Sequence, residues 1–350
     1  MKLILESRNP EVEKILERMV IQRIRGKDFD QLFRLMSNGF RREIAIAGFV
    51  TRRLSQATRF YRRFSTFLPL LDAFHVDFPT ILVAVSGDTL IGAIHLVPHG
   101  KGVWTVDSVA VDTTFRGHGV YRRLMKEALD YISERRGKRV VQTVWTDNAA
   151  PVKIAEEFKF EVFEEDILLS FEFSDVSLVE FEKDVLVREY KPADKDQIYE
   201  LCRSIESRRT EAYENMFEGF HGSPSRYIMG KLIGSHSRRW VIEVGGKIAG
   251  YASVTYTSSS EAGHIKYFCV IPLDDSKREM ILIKAILAFF AMKNIGKVVV
   301  SLDKERKQTI EIFKQAGFKP VASLYEMIKA IDLDGFLVKT SKIASASLRV

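Results

Sequence analysis

The sequence predicts an α/β protein made of two tandem copies of one α+β domain, each a mixed sheet with helices on both faces. Three observations carry this reading. The chain matches itself at a separation of 158–159 residues: Val111 in DSVAVDT with Val270 in YFCVIPL, Gly137-Lys138 with Gly296-Lys297, Leu90-Ile91-Gly92 with Ile248-Ala249-Gly250, and Phe160 with Phe318. Each copy alternates β-branched runs with helical stretches in the same order. At 350 residues the chain also exceeds the size at which a single core usually stops growing.

The elements of each copy are read in order. A short strand (Ile21–Arg25; Val187–Tyr190) leads into an amphipathic helix, where Asp30-Gln31-Leu32-Phe33 matches Asp196-Gln197-Ile198-Tyr199 at an offset of 166. Two strands around a tight glycine turn follow, ILVAVSGDTLIGAIHLV and RWVIEVGGKIAGYASVTY. A third strand (Trp104–Val111; His264–Val270) precedes a long helix, Gly119–Arg136 and Lys277–Lys293. A strand (Arg139–Thr146; Lys297–Leu302), a helix (Ala150–Phe158; Gln308–Ala316) and a last strand (Ile167–Phe173; Ser323–Ile331) close the unit. The expected boundaries are an N-terminal extension over 1–18, a first domain over 19–174, a second over 184–331 and a tail over 332–350. The connector of roughly ten residues suggests closely packed domains.

Composition removes whole classes. The hydrophobic fraction of 46% and charged fraction of 28% exclude a mostly disordered chain and a disulfide scaffold. The most apolar helical stretch, Ile281–Met292, carries Lys284 and is too short for a membrane span of roughly 20 residues. The first 14 residues hold no apolar h-region, so no signal peptide is expected. Cys202 and Cys269 have no metal-ligand spacing and fit a reducing, cytoplasmic compartment. The net charge of +7 gives neither half the field of a dedicated nucleic-acid binder. Locally, seven arginines (41, 42, 52, 53, 59, 62 and 63) face only Glu43. The plain reading of that segment is a solvated or packed face, with a nucleic-acid or membrane-surface contact ranked last.

The sharpest chemical signal is Asp112-Thr-Thr-Phe-Arg116-Gly117-His118-Gly119-Val120-Tyr121, set between a strand and a long helix. A helix N-terminus presents unbonded N–H groups and partial positive charge to an anion. Glycines let the backbone approach phosphate oxygens, and Arg116 adds a cation. The competing reading is a plain glycine turn entering a helix.

With these residues in that order, the sequence resembles the GNAT superfamily of N-acetyltransferases, as two tandem GNAT-like domains. The family loop is Arg/Gln-x-x-Gly-x-Gly/Ala. Here Arg116 and Gly119 fill its first two marked positions, and Tyr121 replaces the usual small residue. The resemblance implies acetyl-CoA as cosubstrate. Backbone amides of residues 117–121 would hold the diphosphate, Val109, Ala110 and Val111 would pair with the pantetheine arm, and Asn148 would hydrogen-bond that arm. The second copy departs from the loop, with Asp275, Arg278 and Met280 at the places of Arg116, Gly119 and Tyr121, so it is expected to be a degenerate copy without a coenzyme site.

The resemblance also implies a carboxylate on the strand before the loop as general base, and Asp107 fits that place. A strand-edge carboxylate of purely structural role is the even alternative. The family's general-acid Tyr would fall at Ala155 and Phe313, neither of which carries a hydroxyl. A thiol of pKa roughly 8.5 leaves without much protonation, so this weakens the mechanism without ending it. His118 is expected to point outward, and His75, His95 and His99 receive no role. No metal site is expected. In the family the region between the first helix and the hairpin borders the acceptor site, so the resemblance implies a second reading of the arginine-rich segment, a grip on an acidic acceptor. Two functions follow: an N-acetyltransferase acting on a primary amine of an unidentified acceptor, or a non-catalytic acyl-CoA-binding or interaction protein.

Overall fold

The computed structural model describes residues 10–47, 79–173, 186–205, 235–257, 262–271 and 277–331. The connector over 174–183, Asp274 and Asp275, the arginine-rich stretch beyond residue 47 and the tail from 332 lie outside them. The described strands are β1 (Val20–Arg23), β2 (Thr80–Ser86), β3 (Thr89–Gly100), β4 (Val103–Val111), β5 (Arg139–Trp145), β6 (Glu161–Glu172), β7 (Leu186–Glu189), β8 (Ser235–Val244), β9 (Lys247–Thr257), β10 (Ala262–Val270), β11 (Lys297–Asp303) and β12 (Lys319–Ala330). The helices are α1 (Pro10–Glu17), α2 (Phe29–Gly39), α3 (Arg41–Ala47), α4 (Val120–Glu134), α5 (Ala149–Glu157), α6 (Lys195–Ile205), α7 (Lys277–Met292) and α8 (Lys307–Gln315). The order and type of the elements follow the repeat. Their ends move by a few residues, as in β6, which begins at Glu161 instead of Ile167.

Two compact units form, and their described parts are 10–41, 79–142 and 329–331 in one, and 42–47, 143–173, 186–205, 235–257, 262–271 and 277–328 in the other. In the first, the strands run β1-β2-β3-β4-β5, antiparallel except for the parallel β4–β5 pair. One face packs Phe29, Leu32 and Leu35 against Val83, Val85, Ala93 and Ala110. The other carries α4, whose Leu124, Met125, Ala128 and Ile132 are buried. Gly92 permits this approach: a Cβ there would sit 3.1 Å from Ala110 O and 3.2 Å from a Val120 methyl.

In the second unit the order is β12-β6-β11-β10-β9-β8-β7. Helix α7 buries Leu282, Ile283, Ile286, Leu287, Phe289 and Phe290 in an apolar cluster with Phe268, Phe313 and Phe318. Gly263 makes room for Phe290, because a Cβ there would lie 2.2 Å from the ring. Burying that ring contributes about 2–3 kcal/mol, which outweighs the roughly 1 kcal/mol that glycine costs a strand.

The repeat is reproduced down to irregularities. The pairing of β2 with β3 slips at Ile91, and that of β8 with β9 slips at Ala249. The pairing of β3 with β4 skips Asp107, and that of β9 with β10 skips Lys266. In both copies a glutamine hooks the hairpin: Gln31 Oε1 accepts from Leu90 N at 2.9 Å, and Gln197 Oε1 from Ile248 N at 3.0 Å. One strand departs from the sequence order. β6 follows the first copy's elements, yet it pairs antiparallel with both β11 and β12 inside the second unit. Its neighbours Leu168 and Leu169 are buried on opposite faces, so the strand requires a sheet neighbour on each side and cover above and below.

Candidate functional site

The site begins where β4 outruns β5. Their parallel pairing runs from Val103↔Arg139 to Val106↔Gln142. Beyond it, Ser108–Val111 continue along β3, in register from His95↔Ser108 to Gly92↔Val111. A strand end paired on one side can offer its other N–H and C=O groups to an extended amide-bearing arm.

The loop after β4 is built by its own side chains. Asp112 donates its N–H to Ile91 O at 2.8 Å, and its Oδ1 accepts from Thr114 N at 2.9 Å. Phe115 is buried and anchors the turn. Arg116 Nε donates to Val111 O at 3.2 Å, which holds this exposed side chain at the strand end. Gly117 (φ 80°) and Gly119 (φ 79°) take left-handed conformations that disfavour other residues. A Cβ on either would meet nothing within 4 Å, so the glycines border open space. The first bond of α4 runs from Arg123 N to Gly119 O at 3.1 Å, leaving Val120 and Tyr121 amides without an acceptor inside the helix. An anion fits a cradle of this kind, by charge and by room.

The other expected residues fall as follows. His118 turns its ring to α1, with Nδ1 3.7 Å from Glu13 Oε1, so its amide and not its imidazole belongs to the loop. Tyr121 is half-buried, and burial pushes its phenol above the ordinary value. Asn148 begins α5 with no capping hydrogen bond from its side chain, and it belongs to the second unit. Ala155 and Phe313 are fully buried. Arg42, the first described member of the arginine-rich stretch in the second unit, is engaged within that unit: it forms a bidentate pair with Asp147 at 2.6 and 3.0 Å and lies over the Trp145 ring.

Sequence reasoning missed one partner. The Asp107 carboxylate lies 3.1 Å from His95 Nδ1, across β4 and β3. The alternation of β3 puts His95 on the face of Ala93, and only the bulge at Asp107 brings the carboxylate to it. Neighbouring His99 is held separately, 2.7 Å from Thr105 Oγ1. Among the described residues no cluster of His, Cys, Asp and Glu could hold a metal ion.

The equivalent places in the second copy are filled differently. Lys266 stands at the bulge in place of Asp107, and Glu279, 1% exposed, occupies the first turn of α7 in place of Val120. Arg306 stands in place of Asn148, and its Nη2 donates to Phe268 O of β10 at 2.8 Å, at the place of Val109.

Residues 44–160, which span the β4 strand, the loop and α4, match the model of the Acetyltransferase (GNAT) family. The first copy thus carries a segment similar to that family. Solved structures carry the same fold over nearly its whole length. A tandem GNAT protein from the clavulanic acid biosynthesis pathway is 15% identical, with a TM-score of 0.63 over 90% of this chain and 99% of that one. A GCN5-related N-acetyltransferase from Sphaerobacter thermophilus is 14% identical, with a TM-score of 0.63 over 90% and 96%. A protein from Pyrococcus horikoshii is 14% identical, with a TM-score of 0.54 over 91% of each chain. No curated protein sequence matches the chain. The fold is therefore a mixed α/β one that matches a tandem GNAT fold. Among its described residues no helix is long and apolar enough to cross a membrane.

Proposed function

We propose that this protein is a GNAT-type, acetyl-CoA-dependent N-acetyltransferase in which the first copy holds the coenzyme and acetylates a primary amine of an acceptor. The observation that carries this reading is the contrast between the two copies. In the first, Gly117 and Gly119 open the backbone to a diphosphate, Arg116 supplies a cation, and Val109–Val111 present a one-sided strand to the pantetheine arm. In the second, the chain's own groups stand in those places, with the Glu279 carboxylate at the helix start and the Arg306 guanidinium on the strand carbonyl. Asn148 is the further candidate for the pantetheine arm.

In the first copy the residues would act as follows. Backbone amides from Gly117 to Tyr121 bind and orient the coenzyme. Asp107, whose side chain is 54% exposed, accepts the proton that the amine nitrogen loses as it acylates, directly or through one water. The departing thiolate is weakly basic and leaves without an acid from Ala155.

Calorimetric titration with acetyl-CoA tests the placement, with one site per chain as the expected result. Two equivalent sites would overturn it. Acetyl-CoA consumption over a broad panel of amines tests the reaction. Tight coenzyme binding with no turnover on any amine would favour a non-catalytic acyl-CoA-binding protein, the reading that the missing hydroxyl at Ala155 supports.

A further inference from the structure

We propose that His95 is a positioning residue that fixes the Asp107 carboxylate for proton transfer, an inference that rests on the acyl-transfer reading of the first copy. Asp107 is the residue that the β3–β4 pairing skips, and the bulge turns its side chain towards β3. His95, paired with Ser108 on the adjacent strand, reaches it with Nδ1 at 3.1 Å. The two differ in depth. The imidazole is 24% exposed and the carboxylate 54%, which makes the ring the inner member and the carboxylate the one an acceptor meets. Both lie on the face that carries α2 over Ala93 and Ala110, next to the strand end assigned to the pantetheine arm.

The second copy provides an internal control. It keeps the same bulge, yet Ser253 stands for His95 and Lys266 for Asp107. The bulge therefore forms without the pair, and both members are replaced together where the coenzyme places are also filled. A pair retained for folding would follow the bulge. This one follows the open loop.

In the reaction, the amine nitrogen bonds to the acetyl carbon, the carbon–sulfur bond breaks, and the nitrogen's proton passes to Asp107. That proton is then released to solvent or to the thiolate, which restores the carboxylate. With its Nδ1–H on one carboxylate oxygen, His95 stays a donor throughout and orients the carboxylate.

A double-mutant cycle in the full-length protein, with an amine acceptor found in the panel, reads this role. Asp107→Asn is expected to lower kcat roughly 10²-fold, and His95→Leu roughly 10-fold with the KM for acetyl-CoA unchanged. The double variant should be about as slow as Asp107→Asn alone, because His95 acts through Asp107. His95→Asn, which keeps an N–H near the place of Nδ1, should recover most of the loss, and calorimetric binding of acetyl-CoA shows that each variant is folded. An additive loss near 10³-fold in the double variant, an unchanged rate in His95→Leu, or no recovery in His95→Asn would overturn the assignment. Absence of turnover in the unaltered protein would overturn the acyl-transfer reading and this one with it, a result seen before any variant is made.

Discussion

Gly119 shows how one residue can carry a site. Its φ of 79° would cost a side chain about 1–2 kcal/mol of backbone strain, and the added atoms would enter the space that the loop leaves open. Gly119→Val should therefore weaken acetyl-CoA binding at least tenfold while its thermal midpoint falls by only a few degrees, read by calorimetry and thermal unfolding. At the equivalent of Asn148, Arg306 makes the opposite case. Arg306→Asn should cost about 1.5–3 kcal/mol in denaturant unfolding, since Phe268 O loses a charged donor, without adding a second coenzyme site. Glu279 still stands at the start of α7. The loop was legible in the sequence because an anion needs glycines, a cation and a helix start in consecutive positions. The His95–Asp107 pair was not. Its two residues lie 12 apart on different strands, and the bulge that joins them leaves no mark in an alternating pattern.

Elements are pinned by small polar devices that recur between the copies. Asp28 Oδ2 accepts from Arg25 N at 2.9 Å ahead of α2, and Asp194 Oδ2 accepts from Lys191 N at 2.7 Å ahead of α6. The second device is strengthened. Arg188 on β7 donates to both Asp194 oxygens at 2.8 Å and to Glu243 on β8 at 2.6 Å, which fastens a four-residue strand to the sheet. The Arg188 guanidinium beside Asp194 holds its carboxyl below the usual carboxylate range. A carboxyl depressed by folding stabilises the fold above its unfolded value, about 3.9, and the contribution is lost as pH falls through the folded value. Arg188→Ala should thus cost about 2–3 kcal/mol at neutral pH. The gap between variant and parent in denaturant midpoint should narrow below about pH 4, and a gap that stays constant down to pH 2 would assign the cost to packing. The glutamine hooks were half-visible in the sequence, since Gln31 and Gln197 sit in the matched helix segments, but their hydrogen bonds span more than 50 residues.

At the scale of the whole molecule, sequence copies and compact units are not the same pieces. The constant offset reveals the copies because duplicated elements keep their spacing. It cannot reveal which compact unit a strand joins, and β6 joins the second. A fragment beginning at residue 184 would lose a strand with a partner on each side, and circular dichroism on heating should show no cooperative transition. The same fragment extended back to residue 143 should regain one. The exchange also sets an order in time. Glu172 of β6 pairs with Lys297 of β11, so the ribosome must add 125 further residues before that partner exists. At about 5–20 residues per second, β6 waits on the order of 6–25 s with Leu168 and Leu169 lacking the sheet that covers them. During that interval the nascent chain presents an unpaired apolar strand, an exposure written into the order of synthesis.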